Sequence, residues 1–177
     1  MIRIREISVD GAARLLQLME ELDHEADYLL YEPGERPMDE EAFRDHIQKL
    51  DPPGFGTFFV AEARRDLSSA SGDETELAGY LEVRRLPWAR VRHRAYLVIG
   101  ILKRHGGKGV GTRLMKEVEL WARRNGVRRL YLTLIAENRA AAGLYRKMGY
   151  EVEGRHPASM RLGDRYVEEL TMGKWLD

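Results

Sequence analysis

The chain contains no cysteine in 177 residues. That absence removes a disulfide framework, a thiolate nucleophile and any cysteine-based metal site at once. Net charge is missing too. The 29 lysines and arginines balance 29 aspartates and glutamates, so the protein as a whole exerts no long-range pull on nucleic acid. No stretch approaches the roughly 18 apolar residues of a membrane span, and the opening MIRIREIS lacks the apolar segment of a secretory signal. A cytoplasmic location with no membrane partner is the expectation. The histidines, His24, His46, His93, His105 and His156, form no HExxH or other compact metal pattern, so no metal is expected.

What is present suits one globular domain spanning 1–177, with 44% apolar and 8% aromatic residues. The charge is sorted along the chain. From Glu20 to Asp45 eleven acidic residues stand against Arg36 and Arg44, whereas from Arg84 to Arg129 fourteen basic residues stand against Glu117 and Glu119. Two differently solvated surfaces would explain this. So would an acidic mouth for a cationic amine beside a basic region for a polyanionic cosubstrate, with Glu25, Asp27 and Glu35 as acceptor-binding candidates.

Periodicity predicts the elements. IRIREI alternates as an opening strand, and Ser8 or Asp10 is positioned to cap a helix whose apolar face carries Ala12, Leu15, Leu16, Met19 and Leu22. A second helix is expected from about Asp39 to Leu50, stopping before Asp51-Pro52-Pro53. TFFVAEA and ELAGYLEVRR read as strands, joined by a polar, flexible turn over about 64–76. HRAYLVIGIL suits a central strand. Leu114, Val118 and Trp121 form a helical stripe that ends at Asn125-Gly126, and VRRLYLTLI is another buried strand. Asn138 is placed to cap a short helix that Gly149 ends, and strands in YEVEG and RYVEELTMGKWL close the pattern. The mixture of crossovers and hairpins implies a mixed sheet covered by helices. Trp175 and Leu176 either pack within the chain or contribute to a homodimer.

The chemistry concentrates at RHGGKGVGTR, where four glycines fall between Gly106 and Gly111. A strand, a glycine loop and a helix start together form an anion cradle: consecutive N–H groups make a concave nest, and the first helical turn adds positive potential. Gly107, Gly109 and Gly111 would keep side chains away from a phosphate, while Lys108 and Arg113 supplement the field and Thr112 offers a hydroxyl. Neither GxxxxGK[ST] nor GxGxxG occurs in register, which disfavours a triphosphate P-loop and a dinucleotide fold.

The passage from IGILKRHGGKGVGTRL through AENRAAAGLYRKMGYEVEG resembles the acyl-CoA-binding core of the Gcn5-related N-acetyltransferase superfamily, and the likeness continues through GDRYVEELTMGKWL. The resemblance implies a single mixed α/β domain, mostly antiparallel, with helices on a central sheet and a splayed cofactor-binding strand pair. It implies acetyl-CoA as cosubstrate, with Ile101 and Leu102 on the pantetheine, Gly106 to Gly111 and Thr112 on the pyrophosphate (Lys108 and Val110 within that loop), and Asn138 near the acyl end or on the pantetheine arm. Tyr145 matches the tyrosine that protonates the leaving thiolate. Gly106 departs from the pattern, occupying the usual Arg or Gln position.

Direct attack by an amine needs its free base. A lysine-like amine with a pKa near ~10.4 loses about 4 to 5 kcal/mol in reaching that state at neutral pH unless the site helps. Glu82, His93 and Glu137 are general-base candidates. The acceptor is left as a small-molecule amine or a protein amine. A non-enzymatic acyl-CoA-binding regulatory module is the alternative; a nucleic-acid site at Arg123, Arg124, Arg128 and Arg129 is better explained as a solvated helix end.

Overall fold

The computed structural model describes residues 2–50, 55–64 and 75–177. Seven strands form one sheet: β1 (Ile2–Glu6), β2 (Gly56–Arg64), β3 (Thr75–Arg85), β4 (Arg94–Ile101), β5 (Arg129–Ile135), β6 (Glu151–Leu162) and β7 (Arg165–Trp175). Their order is β1-β2-β3-β4-β5-β7-β6, and every neighbouring pair is antiparallel except β4–β5. Among the described residues four α-helices pack on the sheet: α1 (Ala12–Glu25), α2 (Glu40–Leu50), α3 (Val110–Arg124) and α4 (Arg139–Lys147). The domain is thus the mixed sheet covered by helices that the periodicity predicts, mostly antiparallel as the resemblance implies.

Each face of the sheet owns a core. Leu114, Met115 and Val118 of α3 are fully buried against Leu81, Leu97 and Leu130, and α4 adds Ala142 and Tyr145 to the same cluster. On the opposite face Leu15 and Leu22 of α1 meet Phe43 of α2, Phe58 and Tyr80. Burying each of these large side chains contributes about 1.5–3 kcal/mol. The helical stripes therefore fix which face each helix covers.

Several local expectations need revision. Neither Ser8 nor Asp10 caps α1 through its side chain; Val9–Gly11 forms a 3₁₀ turn and Gly11 stands at the cap position instead. Asp39 does cap α2, its Oδ1 accepting from the amide of Ala42. The predicted strand around YEVEG extends to Leu162, with a register shift between His156 and Met160. Pro157 is tolerated there because β6 is the edge strand, where a missing N–H costs no ladder bond. Leu176 is buried within the chain, its amide donating to the carbonyl of Arg128, while Trp175 stays exposed and stacks on His93. Of the turn expected over 64–76, residues 65–74 lie outside the described residues; its flanks, Arg64 and Thr75, pair across β2 and β3. No helix among the described residues is long and apolar enough to cross a membrane.

Candidate functional site

The sheet opens in its middle. β4 and β5 pair only from Arg94 to Tyr96 and from Arg129 to Tyr131. Beyond that, β4 stays with β3 as far as Ile101 and β5 stays with β7 as far as Ile135. The two central strands therefore diverge into a fork. Alternation decides which main-chain groups face the gap. The amide of Leu102 donates to the carbonyl of Ala78, 3.0 Å away, which turns Leu102, Gly100 and Val98 toward β3 and leaves Ile99 and Ile101 toward the fork. Leu102 is thus placed differently from expectation: its main chain is satisfied on the β3 side and its side chain is fully buried under α1 and α2. Ile101 lines the cavity, and Ile99, absent from the sequence-based set, joins it.

The glycine loop closes the wide end of the fork. Gly109 precedes α3 with φ +79°, a left-handed conformation that favours glycine, and no side chain caps the helix start. A Cβ at Gly107 or Gly109 would meet no other atom of the chain within 4 Å. These positions face open space, and the amides of the first turn of α3 are left for a ligand. Gly111 is constrained differently. A Cβ there would sit 2.6 Å from Leu144 Cδ2 and 3.0 Å from Ile101 Cδ1, so its absence lets β4, α3 and α4 meet. Gly106 has φ −59° and ψ 149°, a conformation open to any residue; no backbone strain demands glycine there. Val110 is buried beside the loop and Thr112 lines the cavity. Lys108 is exposed and outside the lining, and the Arg113 guanidinium is turned to the carbonyl of Ile2.

The base of the loop is pinned to the rest of the fold. His105 is buried with Nε2 2.7 Å from Glu76 Oε1, Arg104 binds both Glu21 and Glu76, and the Lys103 amide donates to Glu25. Burial acts to raise the pKa of the Glu76 carboxyl, but hydrogen bonds from Arg104 and His105 outweigh it and hold the group below its ordinary value.

α4 supplies the next wall. Asn138 Oδ1 accepts from the amide of Ala141 at 3.1 Å, as the cap reading requires, and the residue also lines the cavity. Tyr145 lines it from the middle of α4 and is 5% exposed. Burial, and secondarily the Tyr96 hydroxyl, raise its pKa well above the ordinary phenol value. It is a neutral O–H donor throughout the physiological range.

Fork, loop and α4 bound one cavity of about 960 Å³, within the range of small-molecule sites. Its other end is built by α1, the 26–38 segment and β3. Glu82 is 8% exposed, with Oε1 3.1 Å from Arg84 Nε and 3.4 Å from His46 Nε2. The other two base candidates lie elsewhere. His93 precedes β4 at the closed end of the fork and stacks on Trp175, while Glu137 is exposed in a two-pronged pair with Arg165 that lowers its pKa. Neither lines the cavity.

The acidic trio is not gathered either. Glu25 is occupied by the Lys103 amide, and Glu35 braces a turn by accepting from the amide of Glu32. Only Asp27 lines the cavity, with Lys103 Nζ 3.8 Å from its carboxylate. The buried acid of this region is Asp23, held by Arg36 through contacts of 2.7 and 2.8 Å, with the guanidinium 4.8 Å over the Tyr31 ring. Tyr80 packs beside this pair, and burial is the main cause of its rise to about 12.

Sequence reasoning missed Arg84, Tyr96 and Thr133, although Tyr96 and Thr133 share a 2.8 Å hydrogen bond across the fork. A signal for Arg84 existed. In YLEVRR the polar residues Glu82 and Arg84 recur at a spacing of two inside an apolar strand, which puts both on one face. Among the described residues, no group of three or more histidines, aspartates or glutamates is placed to hold a metal ion.

A fork between parallel neighbours, closed by a glycine-led helix start, is an arrangement with known relatives. The model of the Acetyltransferase (GNAT) family matches residues 16–150. The chain belongs to the GNAT family. A GNAT acetyltransferase from Streptococcus pneumoniae superposes with a TM-score of 0.87 at 26% identity, covering 100% of both chains. Phosphinothricin acetyltransferase from Sinorhizobium meliloti, solved with acetyl-CoA, shares the GNAT fold with a TM-score of 0.80 at 18% identity, over 99% of this chain and 88% of that one. Among sequence relatives, the L-methionine sulfoximine/L-methionine sulfone acetyltransferase of Pseudomonas paraeruginosa is 29% identical over 127 residues. That match spans 68% of this chain and 66% of the relative's length. The uncharacterized N-acetyltransferase YobR of Bacillus subtilis is 38% identical over 58 residues, 33% of this chain and 24% of its own length.

Proposed function

We propose that this GNAT protein transfers an acetyl group from acetyl-CoA to an amine, a small-molecule or protein amine, in the forked cavity. The observation that carries the reading is the fork itself, with free main-chain positions on one edge and an uncapped helix start at its mouth. The donor set fits acetyl-CoA. Amides from Gly107 to Thr112 suit a pyrophosphate, Ile99 and Ile101 offer strand-like hydrogen bonds to an amide-bearing arm, and Asn138 lies where that arm would end. Acetyl-CoA supplies the acetyl group already activated as a thioester.

The residues then divide the proton work. Glu82 is the base candidate that lines the cavity, and it accepts the proton of the acceptor ammonium directly or through water. Tyr145 Oη is protonated throughout the physiological range and so can donate to the leaving thiolate, although burial makes it a weaker acid than a free phenol. Main-chain donors along β4 offset negative charge that develops on a carbonyl oxygen.

Calorimetry tests the donor half. The folded protein should bind acetyl-CoA saturably, and Gly109→Val should weaken binding at least tenfold, because a β-branched residue resists positive φ and fills the cradle. Failure of the wild-type protein to bind acetyl-CoA or CoA refutes the reading. A panel of amino acids, polyamines, aminoglycosides and basic peptides, scored for CoA release, tests the transfer half. It includes L-methionine sulfone because the Pseudomonas relatives are named for it. Binding without transfer to any amine would support a regulatory acyl-CoA-binding module instead.

A further inference from the structure

The register of the sheet brings one histidine to the base. Phe58 of β2 stands opposite Glu82 of β3, and Glu82 stands opposite Val98 of β4, so the three side chains share one face. α2 lies on that face. Its Phe43 is fully buried and meets Phe58 edge-on, with ring centroids 5.7 Å apart. His46, three residues on, projects from the same side of the helix. Its ring stacks on Phe43 at 6.2 Å and meets Phe58 edge-on at 6.0 Å. Two aromatic walls therefore fix the imidazole, and its Nε2 comes to lie 3.4 Å from Glu82 Oε1. Both residues line the main cavity.

The contacts on Glu82 fall on one oxygen. Arg84 Nε lies 3.1 Å from Oε1, and His46 Nε2 reaches that same atom. Oε2 has no hydrogen-bond or ion-pair partner among the described residues. The terminal torsion of a glutamate is broad, so an unheld carboxylate swings its two oxygens freely. Held at Oε1 from two directions, it keeps Oε2 in one place. The two holders differ in stiffness. Arg84 is half exposed on a long side chain, whereas His46 has two side-chain torsions and two rings against it. His46 is the firmer of the two.

We propose that His46 is a positioning residue for the base: it donates through Nε2 to Glu82 Oε1 and so aims Oε2 at the acceptor nitrogen. No bond changes at the imidazole. The proton that leaves the amine goes to Oε2, directly or through water, while Oε1 stays anchored. The assignment rests on the acetyl-transfer reading, in which Glu82 is the base.

Two substitutions separate aiming from packing. His46→Phe keeps an aromatic ring against Phe43 and Phe58 but removes the donor. His46→Gln gives up the ring and keeps an amide donor at a similar reach. Single-turnover acetylation is measured with saturating acetyl-CoA and the best amine of the panel above. His46→Phe should slow the chemical step about tenfold or more, and His46→Gln should stay within about threefold of wild type. The loss should fall on kcat rather than KM, with acetyl-CoA affinity by calorimetry unchanged in both variants. A packing role alone predicts the reverse order, with His46→Gln the more damaged and lower in Tm. Imidazole 15N NMR of the protein without substrate gives a readout free of turnover. The His46 signal, assigned by its loss in His46→Gln, should report a proton on Nε2 and should shift in Glu82→Gln. A wild-type rate in His46→Phe, equal losses in the two variants, or a His46 signal indifferent to Glu82→Gln overturns the positioning role while the acetyl-transfer reading stands. A wild-type protein that binds acetyl-CoA yet acetylates none of the amines removes the base and its positioning residue together.

Discussion

In the proposed reaction the two halves of the cavity would recognise their ligands by different means. The donor half, from Ile99 through the glycine loop to α4, presents main-chain groups: an open strand edge and an uncapped helix start. The acceptor half presents side chains drawn from α1, the 26–38 segment, β3 and β4, among them Arg36, Glu82 and Arg84. Main-chain recognition constrains the backbone, and backbone constraint leaves glycines at fixed spacing. Side-chain recognition leaves only scattered polar residues whose proximity depends on the fold. One half is therefore written as a motif and the other as a set of coincidences.

Separability of the halves is what experiments can break. The largest effect is expected at Asp23. Asp23→Ala strands the buried Arg36 guanidinium, and removing one partner of such a pair costs about 3–5 kcal/mol. Denaturant melts should show that loss. At temperatures where the variant is folded its acetyl-CoA affinity should stay within about threefold of wild type. A larger drop would mean that the acceptor half shapes the donor half.

Next comes Tyr145, the point where the halves meet. Tyr145→Phe keeps the buried ring and removes the hydroxyl, so the chemical step should slow by about 10²-fold with little change in acetyl-CoA binding. Single-turnover rates are the measurement, since steady-state turnover can hide the step behind product release. An unaltered chemical step would leave the hydroxyl without a role in proton delivery.

The last effect is graded with pH and is negligible at neutral pH. Tyr80 on the acceptor side is raised to about 12, and Tyr145 and Tyr150 on the donor side are raised further, all principally by burial. Below pH 10 these phenols are neutral in the folded and unfolded chain alike, and their contribution to stability is complete. Above it the unfolded chain ionises first, so stability falls by about 1.4 kcal/mol per pH unit for each tyrosine still protonated in the fold. Unfolding free energies measured between pH 9 and 12 should decline along that slope, with tyrosinate absorbance appearing only as the protein unfolds. Tyrosinate forming in the intact fold near pH 10 would contradict the burial argument.

Much of the architecture was legible. The helical stripes of α1 and α3, the Asn138 cap and the order of all eleven elements followed from periodicity and punctuation, because each is a local property. The fork was not, since it depends on which neighbour each strand keeps. Residue phase along β4 was equally hidden: Leu102 and Ile101 look alike in sequence, yet one hydrogen bond to Ala78 sends Leu102 to the core and Ile101 to the gap. His93 and Glu137 were plausible bases by chemistry alone, but His93 sits at the closed end of the fork against Trp175 and the Glu137 carboxylate is drawn out of the cavity by Arg165. Glu82 was legible as a polar residue inside an apolar strand.

The strand order has a consequence during synthesis on the ribosome. β5 is paired on one side by β7, which is made after both α4 and β6. Ile135 ends β5 and Trp175 ends β7, 40 residues later. At about 5–20 residues per second, one edge of β5 waits roughly 2–8 s for its partner. During that interval the nascent chain has the glycine loop and α3 but no closed wall on the far side of the fork. A chain stalled in this window would present an open strand edge in the middle of the sheet, where chaperones or other nascent chains can add a strand of their own.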